Sequence, residues 1–240
     1  MKFINDFLEN EKQKEVVITK DFPNGTKFFY KGETNRKVLH AWYKPLDDEQ
    51  IDKLQTDVNN AQKEAFIFPE WYRDFFKTTN GLSIFFGSIS FFGEQTPLVE
   101  DPVYGLIEAG IDGKNPNWMA PYSLRFEGFV RLDAEARSRW LTIGSYYYDH
   151  SNIVWDFKTN KIVVMYALPT SLSIKARKKM KEADYEQLIF AEWDSFETLF
   201  LSETKRLAKI FEFIDPRTVI YGNPIFWKRT LPVEHKDFIE

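Results

Sequence analysis

The residues that could do chemistry are few and scattered along the chain. Only three histidines occur, at His40, His150 and His235, and none has a second His, Asp or Glu at a spacing that forms a metal site by itself. The run Asp149-His150-Ser151 contains the residue types of a hydrolytic triad. Consecutive side chains on a loop rarely converge, because triads are assembled from distant positions. The histidines therefore predict no zinc or iron site and no hydrolytic centre.

Other catalytic signatures are missing from the sequence. Gly87-Ser88-Ile89-Ser90 is not a Gly-x-Ser-x-Gly elbow, and neither a Walker loop nor a Gly-x-Gly-x-x-Gly turn occurs. The pairs Asp47-Asp48 and Glu100-Asp101 are adjacent, which suits helix starts and solvated loops better than the fixed separation of glycosidase carboxylates. Cysteine is absent, so disulfides, thiolate metal sites and cysteine nucleophiles are excluded. We expect no catalytic residue and no cofactor.

Composition limits the class of protein. The chain has 240 residues, 43% of them hydrophobic, which is enough for one well-packed core and favours one domain with additions. Aromatic residues make up 17%, which indicates a bulky core and leaves open an aromatic patch exposed for a partner. The formal net charge of -4 indicates neither a nucleic-acid surface nor an acidic tail.

The segment at the N-terminus does not have the pattern of a signal peptide. Asp6, Glu9 and Glu11 interrupt what would have to be an apolar stretch, and no run in the chain approaches the ~20 apolar residues of a membrane span. Together with the absence of cysteine, this pattern makes the cytosol the expected location.

Hydrophobic spacing predicts the elements of the first half. Residues 1–45 form an N-terminal annex, in which residues 3–8 suit a helix and residues 15–20 and 26–31 suit two strands. A helix begins at the cap Asp47, with Gln50 three residues later. The apolar face of this helix consists of Ile51, Leu54, Val58 and Ala61.

A second helix starts with Pro69 at its first position and ends at Asn80-Gly81, where glycine can adopt the left-handed conformation that closes many helices. Its apolar face consists of Phe68, Tyr72, Phe75 and Phe76. Residues 82–86 and 88–92 then read as a hairpin or one bulged strand that ends at Gly93.

The second half begins with an insertion at 94–139, rich in Pro, Gly and Asn, whose aromatic residues argue against disorder. Strands are expected at 140–144, 152–157 and 161–166, the last two joined through residues 158–160. A basic cluster at 171–187 suits a solvated loop or helix face. A strongly patterned helix then begins at Asp194-Ser195 and continues to residue 214, and residues 215–240 form a C-terminal extension.

Two stretches of the chain, 48–93 and 140–201, resemble the SUKH superfamily. The first contains an amphipathic helix, the Pro-led helix Phe68-Pro-Glu-Trp-Tyr-Arg-Asp-Phe-Phe-Lys-Thr-Thr-Asn80-Gly81, and strands that end in Phe91-Phe92-Gly93. In the second, Leu141-Thr-Ile-Gly144, Ile153-Val-Trp-Asp156 and Thr159-Asn-Lys-Ile162 are similar to the later strands of the family. The closing helix of the family is matched by residues 191–199.

The resemblance implies an α+β fold with helices packed on a mainly antiparallel sheet, over a single SUKH-like domain spanning 1–240 with a core at 46–214. Pro69, Asn80, Gly81 and Gly93 are the residues of its structural motif. Many bacterial members are similar to immunity proteins that bind and neutralise polymorphic or contact-dependent toxins, whereas fungal members are regulators of cell-wall synthesis. The annex, the insertion and the extension depart from the family pattern, and such additions determine the partner.

Three functions follow from this reading. The leading one is a non-enzymatic immunity protein that binds a toxin, with candidate contact residues Trp71, Trp118, Trp155 and Asp156. Each tryptophan also suits a buried position, and Asp156 also suits a groove or water. The second is a regulatory scaffold with several endogenous partners. The third is an enzyme without a known motif that uses Asp149, His150 and a distant carboxylate.

Overall fold

A computed structural model describes residues 1–14, 17–21, 27–31, 38–62, 67–85, 88–93, 98–101, 105–108, 139–146, 151–166 and 179–213. The chain divides into two compact units, Met1–Glu127 and Gly128–Glu240. The assignment of residues 1–240 to one domain stays a prediction. Both units combine helices with antiparallel strands, so the predicted α+β class is confirmed.

The first unit contains three described helices and seven described strands. The helices are α1 (Lys2–Lys12), α2 (Asp48–Gln62) and α3 (Glu70–Thr78). The strands are β1 (Val17–Asp21), β2 (Lys27–Lys31), β3 (Val38–Trp42), β4 (Leu82–Ile84), β5 (Ile89–Phe91), β6 (Leu98–Asp101) and β7 (Gly105–Glu108). Strands β1 to β5 lie side by side in chain order and every neighbouring pair is antiparallel. Strands β6 and β7 form a separate antiparallel pair.

Helix α2 forms where the spacing predicts it. Ile51, Leu54 and Val58 are fully buried, which confirms the apolar face. The predicted cap is also confirmed, because the Gln50 amide donates to Asp47 Oδ1 at 2.9 Å and the Asp47 amide donates to Gln50 Oε1 at 3.0 Å. This reciprocal arrangement satisfies two amides that a helix start leaves without an intrahelical partner.

Helix α3 buries the predicted aromatic face, but both of its ends differ from the prediction. Pro69 has an extended ψ of 158° and precedes the helix as its cap, with its carbonyl accepting from the Tyr72 amide at 2.9 Å. The helix ends at Thr78, because Thr79 is already extended at φ -159°. Gly81 does have a positive φ of 101°, but it lies in the connection to β4 and does not close the helix.

The strands of the first unit include three that the sequence did not reveal. The predicted hairpin of β1 and β2 is confirmed, and β4 and β5 are two paired strands of a hairpin. Strand β3 falls in the annex, and β6 and β7 fall in the insertion at 94–139, where no strand was expected. These three strands are short, so their recognition depends on pairing with neighbours and not on their own periodicity.

The second unit contains a four-stranded antiparallel sheet in the order β8 (Trp140–Tyr146), β9 (Asn152–Asp156), β10 (Lys161–Met165) and β11 (Ile189–Trp193). The predicted hairpin between β9 and β10 is confirmed, and Asn160 provides its left-handed turn residue at φ 55°. Two helices are described, α4 (Glu182–Glu186) and α5 (Phe196–Phe213). Residues 171–178 of the basic cluster and the extension at 215–240 lie outside the described residues.

The start of the last helix corrects the family comparison. Residues 191–193 belong to β11, where Ala191 lies opposite Val164 and Trp193 lies opposite Ile162, and they are not part of the closing helix. Helix α5 begins at Phe196. Ser195 caps it, because the Thr198 amide donates to Ser195 Oγ at 3.1 Å. The apolar pattern of α5 is confirmed by the buried residues Phe196, Leu199, Phe200 and Leu207.

Candidate functional site

The start of α3 presents apolar surface. Ile67, two residues before the cap Pro69, is 79% exposed. Trp71 is half-buried in the first turn of the helix, and its ring centroid lies 5.0 Å from that of Tyr72 in the core. We call Ile67, Pro69 and Trp71 the α3 patch. An aromatic ring anchored on the core beside an exposed aliphatic side chain is a common arrangement in protein interfaces.

Charged side chains lie next along α3. Arg73 Nη1 lies 2.8 Å from Asp52 Oδ1 and Lys77 Nζ lies 2.8 Å from Asp48 Oδ1, so α3 is joined to α2 by exposed ion pairs. The hydrogen bond from Lys77 lowers the pKa of Asp48 most, desolvation opposes it, and the hydrogen bond from Arg73 lowers the pKa further. Exposed pairs of this kind stabilise little, and they lie on the flank of α3 that faces α2, because Arg73 and Lys77 are not at the i+3 or i+4 spacing from Trp71 that shares a helix face.

Trp155 lies inside the second unit. It is 6% exposed, its ring centroid lies 4.5 Å from that of Phe157, and its Nε1 donates to Asn160 Oδ1 at 3.2 Å. The buried position weighed for this tryptophan from the sequence is therefore the one it occupies. Trp118 lies outside the described residues. Of the three candidate tryptophans, Trp71 is the one whose described surroundings leave part of the ring at the surface.

Asp156 faces neither a groove nor water. Arg139 binds it with two nitrogens, Nε at 3.1 Å from Oδ1 and Nη2 at 2.7 Å from Oδ2. The amides of Lys158 and Thr159 also donate to Oδ1, at 2.9 and 3.3 Å. Burial raises the pKa of Asp156, but the Arg139 and backbone hydrogen bonds outweigh it and hold the pKa below its usual value.

The Arg139 guanidinium joins three elements of the second unit. Besides Asp156 at the end of β9, its Nη1 donates to Glu182 and Glu186 of α4, and it stacks 4.4 Å from the centroid of the Trp140 ring. The hydrogen bond to Asp156 raises the pKa of Arg139 most, against the effect of burial. This cluster places α4 over the core formed by Trp140, Val154, Val163, Met165 and Tyr185. The three carboxylates are all bound by the one cation, so the cluster is structural.

The segment around Asn80 also makes structural contacts. The Asn80 amide donates to the Tyr43 carbonyl at 3.3 Å, and the hydroxyl of the neighbouring Thr79 donates to the same carbonyl at 3.1 Å. A Cβ built on Gly93 would lie 2.7 Å from Asn80 Oδ1 and closer still to the Asn80 carbonyl oxygen. The residues predicted from the sequence as a structural motif, Asn80 and Gly93, are thus brought together in space.

A buried ionisable group that sequence reasoning missed lies beneath α1. His40 on β3 is 0% exposed, and its Nε2 lies 3.2 Å from Oε2 of Glu11, itself buried. Its Nδ1 accepts from the Phe85 amide at 3.2 Å. Both nitrogens are therefore engaged, and the imidazole has none to offer a substrate. A signal existed, because Glu11 continues the buried helical spacing of Ile4 and Leu8.

The remaining candidates for chemistry do not come together in the described part of the chain. Asp149, His150 and His235 lie outside it, and Ser151 is buried with its carbonyl accepting from the Tyr146 amide. Within the described ranges, no three His, Cys, Asp or Glu side chains are placed to hold a metal ion. Nor does any helix there have the length and apolar character needed to cross a membrane.

Comparisons with family models, with curated proteins and with solved structures find no match to this chain. The resemblance of residues 48–93 and 140–201 to the SUKH superfamily, and the SUKH-like form of the α+β fold, therefore stay predictions.

Proposed function

We propose that this chain is a non-enzymatic protein-binding module, and specifically an immunity protein that binds and neutralises a polymorphic or contact-dependent toxin. The observation that carries the proposal is the α3 patch. It combines the exposed Ile67 with the partly exposed ring of Trp71, four residues later at the start of α3. Exposed apolar and aromatic side chains are the residues on which protein interfaces are centred.

The hydrogen bonds made by the buried polar side chains support binding over catalysis. His40 and Glu11 are buried against each other, and Asp156 is bound by Arg139. A catalytic group must reach a substrate proton or reacting atom within hydrogen-bond distance. The hydrogen-bonding groups of these side chains are bound to other parts of the fold. Ile67, in contrast, leaves most of its side chain exposed.

The choice of a toxin as partner rests on the SUKH resemblance, and it predicts one dominant partner. The alternative, a regulatory scaffold, predicts several endogenous partners on the same type of surface. Affinity capture of the tagged full chain from its own organism distinguishes the two by the number and kind of proteins recovered. Co-expression with each toxin-like partner then measures whether the chain protects cells.

The chain offers a matched pair of variants for this test. Ile67→Lys and Leu201→Lys each place a charge at an exposed aliphatic position, since Ile67 is 79% and Leu201 47% exposed. Neither should change the free energy of unfolding by more than about 0.5 kcal/mol, because both positions are at the surface. We expect Ile67→Lys to weaken binding of the captured partner at least ~10-fold, as at other interface anchors, and Leu201→Lys to leave it unchanged.

One toxin recovered, with protection that Ile67→Lys abolishes, supports both the function and the α3 patch. Protection that is insensitive to Ile67→Lys keeps the function and removes the patch. Several housekeeping partners without protection would replace immunity by the scaffold.

A further inference from the structure

Helix α1 is attached to the first unit by two kinds of contact. Near its start, Ile4 and Leu8 are buried as apolar residues of the core. Near its end, the attachment is polar, because the buried carboxylate of Glu11 meets His40 of β3 at 3.2 Å. The last turn of the helix depends on this second contact, and it is closed by the amide of Gln13 donating to the Glu9 carbonyl at 3.3 Å.

The partners of His40 determine its protonation state. The Phe85 amide is a donor only, so Nδ1 must present its lone pair to accept that hydrogen bond at 3.2 Å. Nε2 must then carry the proton and donate it to the carboxylate of Glu11. The geometry therefore requires a neutral imidazole with its proton on Nε2.

A second proton has no place in this site. On Nδ1 it would point at the Phe85 amide, donor against donor. The rest of the ring is enclosed by aromatic side chains, with ring centroids 5.2 Å from Phe7, 6.0 Å from Phe29 and 4.9 Å from Phe85. An imidazolium in such surroundings has neither water nor a second acceptor, which makes its burial costly.

The charged groups around His40 do not offset this cost. Among the described residues, those facing the ring from the elements packed on it are Glu11 and, through Glu11, Lys14. Lys14 Nζ lies 2.5 Å from Glu11 Oε1 and so already neutralises the carboxylate that would otherwise attract a proton to His40. Strand β2 and the turn that follows β4 contribute the aromatic rings of Phe29 and Phe85 at this point, not charges.

The backbone of Phe85 is a further reason to expect that a second proton on His40 opens the whole contact and not one hydrogen bond alone. Phe85 has a φ of 50°, in the left-handed region that bulky residues rarely adopt. Its amide hydrogen bond to His40 helps to hold this conformation. Loss of that bond allows Phe85 to return to an ordinary conformation, which would move its ring away from His40.

We propose that the contact between His40 and Glu11 is an acid-sensitive latch, which holds the end of α1 against the first-unit sheet and opens when His40 takes a second proton. The chain would then expose the end of α1 and the underside of β3 at mildly acidic pH.

The sign of the pH dependence follows from the surroundings of the ring. Burial lowers the pKa of His40, and this effect exceeds the opposing hydrogen bond and charge of Glu11. The opened form, with an accessible imidazole of pKa about 6.5, therefore takes the proton first. The stabilisation from the latch is fully present above that pH. Below it, the equilibrium constant for opening rises by up to ~10-fold for each pH unit, until His40 titrates in the closed form too.

Glu11 does not titrate in the same range. Burial raises the pKa of Glu11, but the hydrogen bonds from His40 and Lys14 outweigh it and hold the pKa below the ordinary carboxylate value. The carboxylate therefore stays ionised while the latch opens, and the opening is a property of the imidazole.

Amide hydrogen exchange of the full chain tests the proposal. The amide of Phe85 reports on the bond to Nδ1, and the amides of Gln13 and Lys14 report on the last turn of α1. After correction for the intrinsic pH dependence of exchange, we expect the protection of all three to fall about 8-fold between pH 7 and pH 5.5, the limit for an opened-form pKa of about 6.5. The Leu199 amide at the start of α5 should keep its protection.

Variants separate the latch from general acid destabilisation. His40→Gln keeps a donor and an acceptor but cannot be protonated, so protection of α1 should be equal at both pH values. His150→Gln and His235→Gln remove the other two imidazoles of the chain and should leave the opening intact. Glu11→Gln keeps an acceptor for Nε2 but replaces a charge-assisted hydrogen bond by a weaker neutral one, so it should favour the opened form and move the opening to higher pH.

Three results would overturn the latch, and none depends on His40→Gln being folded. One is a nitrogen chemical shift showing the proton of His40 on Nδ1 at pH 7. Another is retention of Phe85 and α1 protection at pH 5.5 in the natural chain. The last is an opening that Glu11→Gln leaves at the same pH or moves to lower pH.

Discussion

Gly93 lies so close to the main chain of Asn80 that position 93 has no room for a side chain. A Cβ there would lie 2.7 Å from Asn80 Oδ1 and nearer still to the Asn80 carbonyl oxygen. This contact joins the segment after α3 to the second residue after β5, and a main-chain atom cannot move away from it as the end of a flexible side chain can.

Gly93→Ala should therefore lower the free energy of unfolding. We expect a loss of about 1–3 kcal/mol, as for other overpacked sites, measured by denaturant unfolding. The double variant Asn80→Ala with Gly93→Ala is the matched control, because it removes Oδ1 but keeps the carbonyl. It should not recover stability, and a full recovery would show that the side chain of Asn80 is what excludes a Cβ.

Thr79→Val should destabilise the first unit, because the Thr79 hydroxyl joins two segments. It donates to the Tyr43 carbonyl at 3.1 Å and lies 3.3 Å from the Tyr43 amide. Loss of a buried hydroxyl that satisfies backbone groups costs roughly 1–3 kcal/mol. Thr79→Ser keeps the hydroxyl and loses one methyl group, so it should cost no more than about 0.8 kcal/mol. Equal losses for the two variants in thermal or denaturant unfolding would contradict this role.

Arg139→Met should strongly destabilise the second unit. It leaves Asp156 buried without its bidentate partner and removes the contact with the Trp140 ring. Removing one member of a buried pair costs about 2–4 kcal/mol at a site with some solvent access. Glu182→Gln is the comparison on the same guanidinium, at a side chain that is half exposed. Unfolding monitored by tryptophan fluorescence should separate the two variants clearly, and similar small losses would show that Arg139 is not a structural centre.

Asp156 should make stability depend on pH in the acid range. Its pKa is held below the ordinary carboxylate value of about 3.9, so its contribution is fully present above that pH and is lost as the pH falls through the lower value. Asp156→Asn should therefore reduce the slope of unfolding free energy against pH below about 4. Parallel curves for the natural chain and the variant would mean that Asp156 has the same pKa folded and unfolded.

The sequence predictions that are confirmed rest on patterns within a few neighbouring residues. The spacing of Ile51, Leu54 and Val58 determines which face of α2 is buried, and the apolar, β-branched runs at 152–156 and 161–165 on either side of the turn 158–160 indicate a hairpin. These features depend on neighbours within a few residues, which are visible in a single sequence.

The errors occur where pairing with a distant segment overrides a local preference. Residues 191–193 become the end of β11 because β10 supplies a partner edge, although the adjoining residues favour a helix. Strand β3 is recognised in the same way, by its pairing with β2 on one side and β4 on the other.

For the candidate site, too, some features were determined by local sequence and others only by tertiary structure. The sequence alone determined that Trp71 belongs to a helix that starts next to Pro69, that the known catalytic motifs are missing and that cysteine chemistry is excluded. Only the tertiary structure decided that Trp155 and Asp156 are buried, and that His40 meets Glu11 across 29 positions of the chain. The physical reason is that burial and hydrogen bonding are properties of segments brought together in space, whereas periodicity is a property of one segment.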